Sequence, residues 1–310
     1  MICTLYHVPI EEKCDIYYDA LFYCWGSQST SRDIETDNAN FPITPNLHSA
    51  LRRLRDEEAI HERNYQVGIM RKFYRCCDSV RGWIGEEADE SDVALNPISQ
   101  LSEAYDEQST ATNKQDAEYG NRDLGSGVLS MYDRAYTSLV HLMLRVYFQR
   151  VRIIQEVALA SEAFILCGSS LTEPTWKELE NAFNFATQMS ALSIYRQLLP
   201  QNFIALQTSR QAIDSNDSSN RKLSFLLSRH CPSMATNSQD KIYALLGLCE
   251  ERELSELGLD VDYNLPIKDL FLITMKKILE KDKNLDLLSA TMISDSYPLE
   301  LANLPSWIPD

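Results

Sequence analysis

The sequence predicts a helix-rich α/β protein. Two observations carry that reading. Two short runs dense in aromatic or branched apolar residues each end on a glycine, and several longer segments repeat their apolar residues at helical spacing. Residues 17–25, Tyr-Tyr-Asp-Ala-Leu-Phe-Tyr-Cys-Trp, close at Gly26, and residues 80–84 close at Gly85. Both read as buried strands leading into loops. Residues 3–8 read as a further short strand.

Between the two glycine-ended runs the chain turns helical. Residues 27–40 are polar and read as a loop or a hairpin around Asp37 and Asn38. Thr44-Pro45-Asn46 is a helix start, a hydroxyl cap followed by proline at the first helical position. Leu47, Ala50, Leu51 and Leu54 form one face of that helix, and Arg52, Arg53 and Arg55 the other. The arginines read as a solvated face. A second helix over residues 60–77 carries Val67, Met70, Phe73, Tyr74 and Cys77 as its stripe. The acidic run at 86–92 lacks the alternate oxygens and central glycine of a calcium loop and reads as solvated. Residues 99–136 are polar, so a loop or disordered segment is expected.

The longest apolar run covers residues 137–167 and reads as helical, stopping at Cys167-Gly168. Its centre is residues 150–160, Arg-Val-Arg-Ile-Ile-Gln-Glu-Val-Ala-Leu-Ala. Val151, Ile154, Val157 and Ala158 lie on one helical stripe facing a core. Glu156 sits on its flank among apolar neighbours. Burying a lone carboxylate is costly, so the flank is expected to be solvated or paired with Arg152, four residues earlier. Further helices are expected over 175–187, 188–208 with a break at Pro200, 222–230, 238–249 and 266–281. Residues 285–289 read as a last strand. The terminal Leu-Pro-Ser-Trp-Ile-Pro-Asp points to further chain beyond Asp310.

Composition bounds the function. The net charge is −16, with 45 acidic against 29 basic residues. Phosphate binding needs a basic face, so nucleic acid is not expected as a partner, and anionic membrane surfaces are disfavoured. No run approaches the length of a membrane span, and the first ten residues lack the basic start and apolar stretch of a secretory signal. The eight cysteines are scattered and none forms Cys-x-x-Cys. They read as reduced, mostly buried thiols in the cytoplasm, with no metal site.

Separated motifs resemble the fungal heterokaryon incompatibility (HET) domain. Residues 18–26 resemble its "YeALSYcWG" opening and residues 43–55 its "iTpNLhsALrrLR" helix. Residues 62–70 and 80–87 resemble "ER..QV..M" and "V..WLGee", and residues 150–160 resemble "RVWiiQEvalA". Residues 235–248 resemble "ATDpRDKIYALLGL", and residues 304–310 resemble "LPSWvPDw". Order and spacing agree over nearly the whole chain. The "lWiDAICINQ" strand is missing between Arg55 and Glu62. Arg152 stands in place of tryptophan and Phe22 in place of serine.

The resemblance implies a TIR-like core, a small parallel sheet wrapped by helices with one strand absent. It implies a HET-like domain over residues 1–168 and a helical region over 169–310 packed on it. It points to Glu156 as the catalytic carboxylate of an NAD-cleaving activity, with NAD as substrate and no resident cofactor. It places Tyr23, Trp25, Gly26 and Arg152 around the ligand, whereas packing in the core is the ordinary role of Tyr23 and Trp25. A lost central strand would leave backbone groups unpaired unless the sheet closes up. The implied function is non-self recognition that triggers cell death, through protein partners or self-association. The rival readings are a catalytically inactive interaction module or degenerate allele, and a helical scaffold around residues 174–281.

Overall fold

The computed structural model describes residues 2–3, 19–23, 32–36, 40–53, 67–110, 126–189 and 200–290. Its centre is a parallel sheet of three strands: β2 (Asp19–Tyr23), β5 (Ser79–Trp83) and β6 (Glu162–Leu166), in the order β2-β5-β6. A second small sheet pairs β1 (Ile2–Cys3) parallel with β3 (Arg32–Thr36), and β3 antiparallel with β4 (Asn40–Ile43). The hairpin expected around Asp37 and Asn38 is thus the β3–β4 pair.

The central sheet is closed. All five residues of β2 pair in register with β5, from Asp19 opposite Ser79 to Tyr23 opposite Trp83, and β5 pairs with β6 in the same way. The strand expected to be missing therefore leaves no gap between β2 and β5.

The period of two divides the sheet into two faces. Ala20, Val80, Ala163 and Ile165 enter the main hydrophobic core. Leu21, Tyr23, Trp83 and Leu166 turn the other way, toward Ala50 of α1 (Pro45–Arg53). Thr44 caps α1 as expected, its Oγ1 accepting from the Leu47 amide at 3.2 Å. The indole of Trp83 donates to Asn46 Oδ1 at 2.9 Å.

Helices surround the main core. In chain order they are α2 (Val67–Cys76), α3 (Ser91–Leu95), α4 (Ile98–Thr110), α5 (Ser126–Met143), α6 (Val146–Gln149), α7 (Ile153–Leu159) and α8 (Trp176–Met189). They continue with α9 (Gln201–Asp214), α10 (Leu223–His230), α11 (Asp240–Leu246), α12 (Glu251–Leu257) and α13 (Ile267–Asp282). Helix α8 opens with a reciprocal cap. Thr175 Oγ1 accepts from the Glu178 amide at 3.1 Å, and Glu178 Oε2 accepts from the Thr175 amide at 2.8 Å.

Three expectations are corrected. The described parts of residues 99–136 are not loop: they belong to α4 and α5. Helix α4 buries only Ile98, Leu101 and Ser102, so its apolar signal is thin. Polar contacts complete its seat on α8, with Asn181 donating to Ser102 Oγ at 3.2 Å and to Asp106 at 3.1 Å. The run 137–167 is not continuous helix. It holds the end of α5, then α6, α7 and β6, because a parallel strand buried on both faces is as uniformly apolar as a core helix. Residues 285–289 are not a strand. Asp286–Ala290 is a 3-10 helix that buries Leu287.

Candidate functional site

Helix α7 is a short helix with no outward face. All seven of its residues are buried, Gln155 and Glu156 included. The solvated flank expected for Glu156 is therefore corrected. The helix packs against α2, α9 and α11, so the flank that reads as solvent-facing is covered by other helices.

Glu156 is a carboxyl held in apolar surroundings. Its Oε2 is buried and has no hydrogen-bond partner in the structure. Burial raises its pKa from 4.5 to about 8, and the positive charges of Arg152 and Arg150 pull it down only in part. The group is thus mainly protonated at neutral pH. Tyr74 of α2 is close enough to feel it. The phenol of Tyr74 is raised well above its usual range, first by burial and then by the charge of Glu156.

Arg152 stands at the start of α7 but does not pair with Glu156. Its Nη2 and Nε lie 2.8 and 3.0 Å from Asp240 Oδ2. Burial alone would lower the guanidinium pKa, and Asp240 more than reverses that. The hydroxyl of Tyr263 donates to Asp240 Oδ1 at 2.6 Å. The expected pairing of Glu156 with Arg152 is corrected accordingly.

The remaining expected residues are separated from this carboxyl. Tyr23 is half-buried on the α1 face of the sheet, against Trp83, Leu166 and Ala50, while α7 belongs to the core on the opposite face. Trp25 and Gly26 lie outside the described residues. The structure thus joins Arg152 to the helix of Glu156 and sets Tyr23 in another cluster.

Two residues not singled out in the sequence shape the region. Tyr147 lays its hydroxyl end against Gly82 of β5, where an added Cβ would come within 2.8 Å of the Tyr147 ring carbon Cζ. Arg145 closes the carboxyl ends of β5 and β6, where open parallel sheets commonly bind ligands. It donates to the carbonyls of Ile84 (3.4 Å), Glu86 (3.0 Å) and Ala88 (2.7 Å), and lies 3.2 Å from Cys167 Sγ. A lone arginine inside an apolar run was the available signal. The acidic run is likewise engaged rather than merely solvated. Glu87 Oε1 accepts from the Ser169 amide and hydroxyl at 3.2 and 2.8 Å, and Glu90 from Arg134 at 3.2 Å.

Among the described residues no cluster of three or more His, Cys, Asp or Glu is arranged to hold a metal, and no helix is long and apolar enough to cross a membrane.

Together these features define a helix-rich α/β protein with a short parallel sheet and one isolated carboxyl buried on the helix before the last strand. Residues 18–156 match the family model described as heterokaryon incompatibility protein (HET). Glu156 is the last residue of that match. The whole chain also aligns at 23% identity, over 386 positions, with heterokaryon incompatibility protein 6, OR allele, of Neurospora crassa. It spans 55% of that protein's length. No solved structure matches the chain.

Proposed function

We propose that the protein acts in heterokaryon incompatibility, as a non-self recognition factor whose activation leads to cell death through cleavage of NAD at Glu156. The observation that supports the catalytic role is the unpartnered, buried carboxyl of Glu156. Leaving such a group unsatisfied costs about 1–3 kcal/mol, and strongly perturbed buried carboxyls cluster at functional sites. The relative's name supports the incompatibility role.

The chemistry suits a carboxylate. The bond between ribose C1′ and the nicotinamide nitrogen breaks, and its electron pair leaves with nicotinamide. Positive charge develops at C1′, which an adjacent carboxylate stabilises. Water then adds at C1′ and releases a proton, giving ADP-ribose. The closed carboxyl is mostly neutral, so this step needs the ionised form. Exposure to water would return Glu156 toward the ordinary carboxylate range and ionise it.

A second reading is a non-catalytic interaction module, favoured by the enclosure of Glu156 among Tyr74, α9 and α11. Nicotinamide release from NAD, measured on cooperatively folded protein beside Glu156→Gln, separates the two. Release that the substitution abolishes supports the enzyme. No release from folded protein, and no growth arrest on expression in a fungal host, leaves the interaction module.

A further inference from the structure

The helix of Glu156 is held from outside by chain beyond the family match, at four separate points. Residues 231–239 form an irregular strap between α10 and α11. The Met234 amide donates to the Gln149 carbonyl at 2.6 Å, and the Val151 amide donates to the Met234 carbonyl at 2.9 Å. The strap thus lies beside the approach to α7 as one rung of parallel pairing. At its end, Asp240 takes the Arg152 guanidinium at the start of α7. At the far end of the helix, Arg210 of α9 donates to the Val157 carbonyl and, at 3.1 Å, to the Ser161 carbonyl. Gln155 packs so closely on Gly247 that an added Cβ there would sit 2.8 Å from its Cδ.

These contacts are of a kind that can part as a unit. The strap pairs through a single bridge between Arg150 and Met234, and Met234 is 57% exposed. Arg152 is 51% exposed, so water is at hand for its guanidinium once Asp240 withdraws. Arg152 and Glu156 stand one turn apart on the same side of α7, so the Arg152–Asp240 pair lies at the end of the carboxyl's enclosure.

We propose that the strap 231–240, together with Arg210, is a built-in clamp that holds α7 shut, and that its release exposes the Glu156 carboxyl to solvent and ligand. This rests on the reading of Glu156 as the working group. It adds that the C-terminal half governs access to it, so the resting chain is closed. Local openings of this sort are cooperative and lie below the free energy of global unfolding.

Amide hydrogen exchange followed by mass spectrometry on the full chain tests the clamp without reference to activity. In Asp240→Asn, and in Asp240→Asn combined with Arg210→Gln, exchange over residues 150–161 is expected to accelerate by at least about tenfold, while α4 and α8 keep their protection. Unchanged exchange over 150–161 in the double variant overturns the clamp. So does acceleration spread evenly over the molecule, which would make these contacts general supports of the fold. The single variant keeps the test available if the double variant does not fold. Nicotinamide release assayed on the same samples reads the catalytic proposal separately. Selective opening without release would sink that proposal and leave the clamp standing.

Discussion

Arg152 reaches away from Glu156 to Asp240, placing Nη2 2.8 Å and Nε 3.0 Å from one carboxylate oxygen. The two partners are unequally placed: Asp240 is buried, whereas half of Arg152 meets solvent. Loss of either one should therefore cost different amounts. Arg152→Met leaves a buried carboxylate supported by the Tyr263 hydroxyl alone, and is expected to destabilise by about 2–3 kcal/mol. Asp240→Asn leaves a guanidinium with water at hand, and is expected to cost roughly 1 kcal/mol. Urea unfolding of both single variants and the double variant measures the asymmetry. Equal losses would contradict the unequal burial.

Glu156 should imprint a pH slope on stability. Its folded pKa, about 8, lies above the unfolded value of 4.5, and burial is the main cause. Between these values the folded state holds a proton that the unfolded state has released. Stability is therefore fully present below about pH 4.5 and is lost as pH rises toward 8. By pH 7 the loss is on the order of 3 kcal/mol. Glu156→Gln should flatten that part of the profile. Parallel unfolding curves for the two proteins from pH 5 to 8 would show that the carboxyl is solvated after all.

If the proposed NAD cleavage is this chain's activity, the same group should shape its pH dependence. The ionised form is the one that stabilises positive charge at C1′. Opening of α7 is linked to ionisation of the carboxyl, so the open, ionised form, and with it release of nicotinamide, is expected to rise with pH up to about 8. In Asp240→Asn, where the positive charges of Arg152 and Arg150 still lower the carboxyl's pKa and the clamp is loosened, the rise should move to lower pH. A wild-type profile that is flat from pH 6 to 9 would contradict a buried acid as the active group.

Much of this arrangement is legible in the residues, but unevenly. The Thr44 cap, the strand ending at Gly85 and the stripe of α13 are local patterns, and each reappears where the spacing puts it. Helix α4 was not legible, because a helix that borrows the polar side chain of Asn181 needs little apolar surface of its own. Strand β6 was hidden inside an apolar run, since burial on both faces erases the alternation that marks a strand. Glu156 stood out as a carboxyl among apolar residues. Its enclosure did not, because α9 and α11, which cover α7, come from residues at least 45 positions further along. Asp240 lies inside the stretch resembling "ATDpRDKIYALLGL", yet nothing in spacing pairs it with Arg152.

Gly82 should not tolerate a side chain. It sits in the middle strand of the sheet, and the Tyr147 hydroxyl and ring carbon Cζ occupy the space of a Cβ. Gly82→Ala must push a fully buried tyrosine off its seat, and is expected to cost about 2–3 kcal/mol. Adding Tyr147→Phe removes the nearest atom and should recover part of that loss. Thermal unfolding of the single and double variants measures it. An additive, uncoupled pair would mean that the ring does not bear on Gly82.

His230 should act in the opposite pH direction to Glu156. Its Nε2 lies 2.8 Å from the Ser209 hydroxyl, while Nδ1 is buried without a hydrogen-bond partner. Burial lowers its pKa from 6.5 to about 3, and the neighbouring charge of Arg229 adds to the effect. The folded state therefore keeps the ring neutral while the unfolded chain takes up a proton below pH 6.5. Its contribution is present above 6.5 and is lost as pH falls toward 3. Between about pH 4.5 and 6.5 the two groups oppose each other, and above 6.5 Glu156 acts alone. Replacing the ring by His230→Leu should remove the acid-side loss and leave the decline from pH 6.5 to 8 intact. Unfolding midpoints of wild type, His230→Leu and Glu156→Gln across pH 4 to 8 should thus separate the two limbs. If His230→Leu altered the alkaline limb instead, the histidine would not be the neutral, buried group that its surroundings make it.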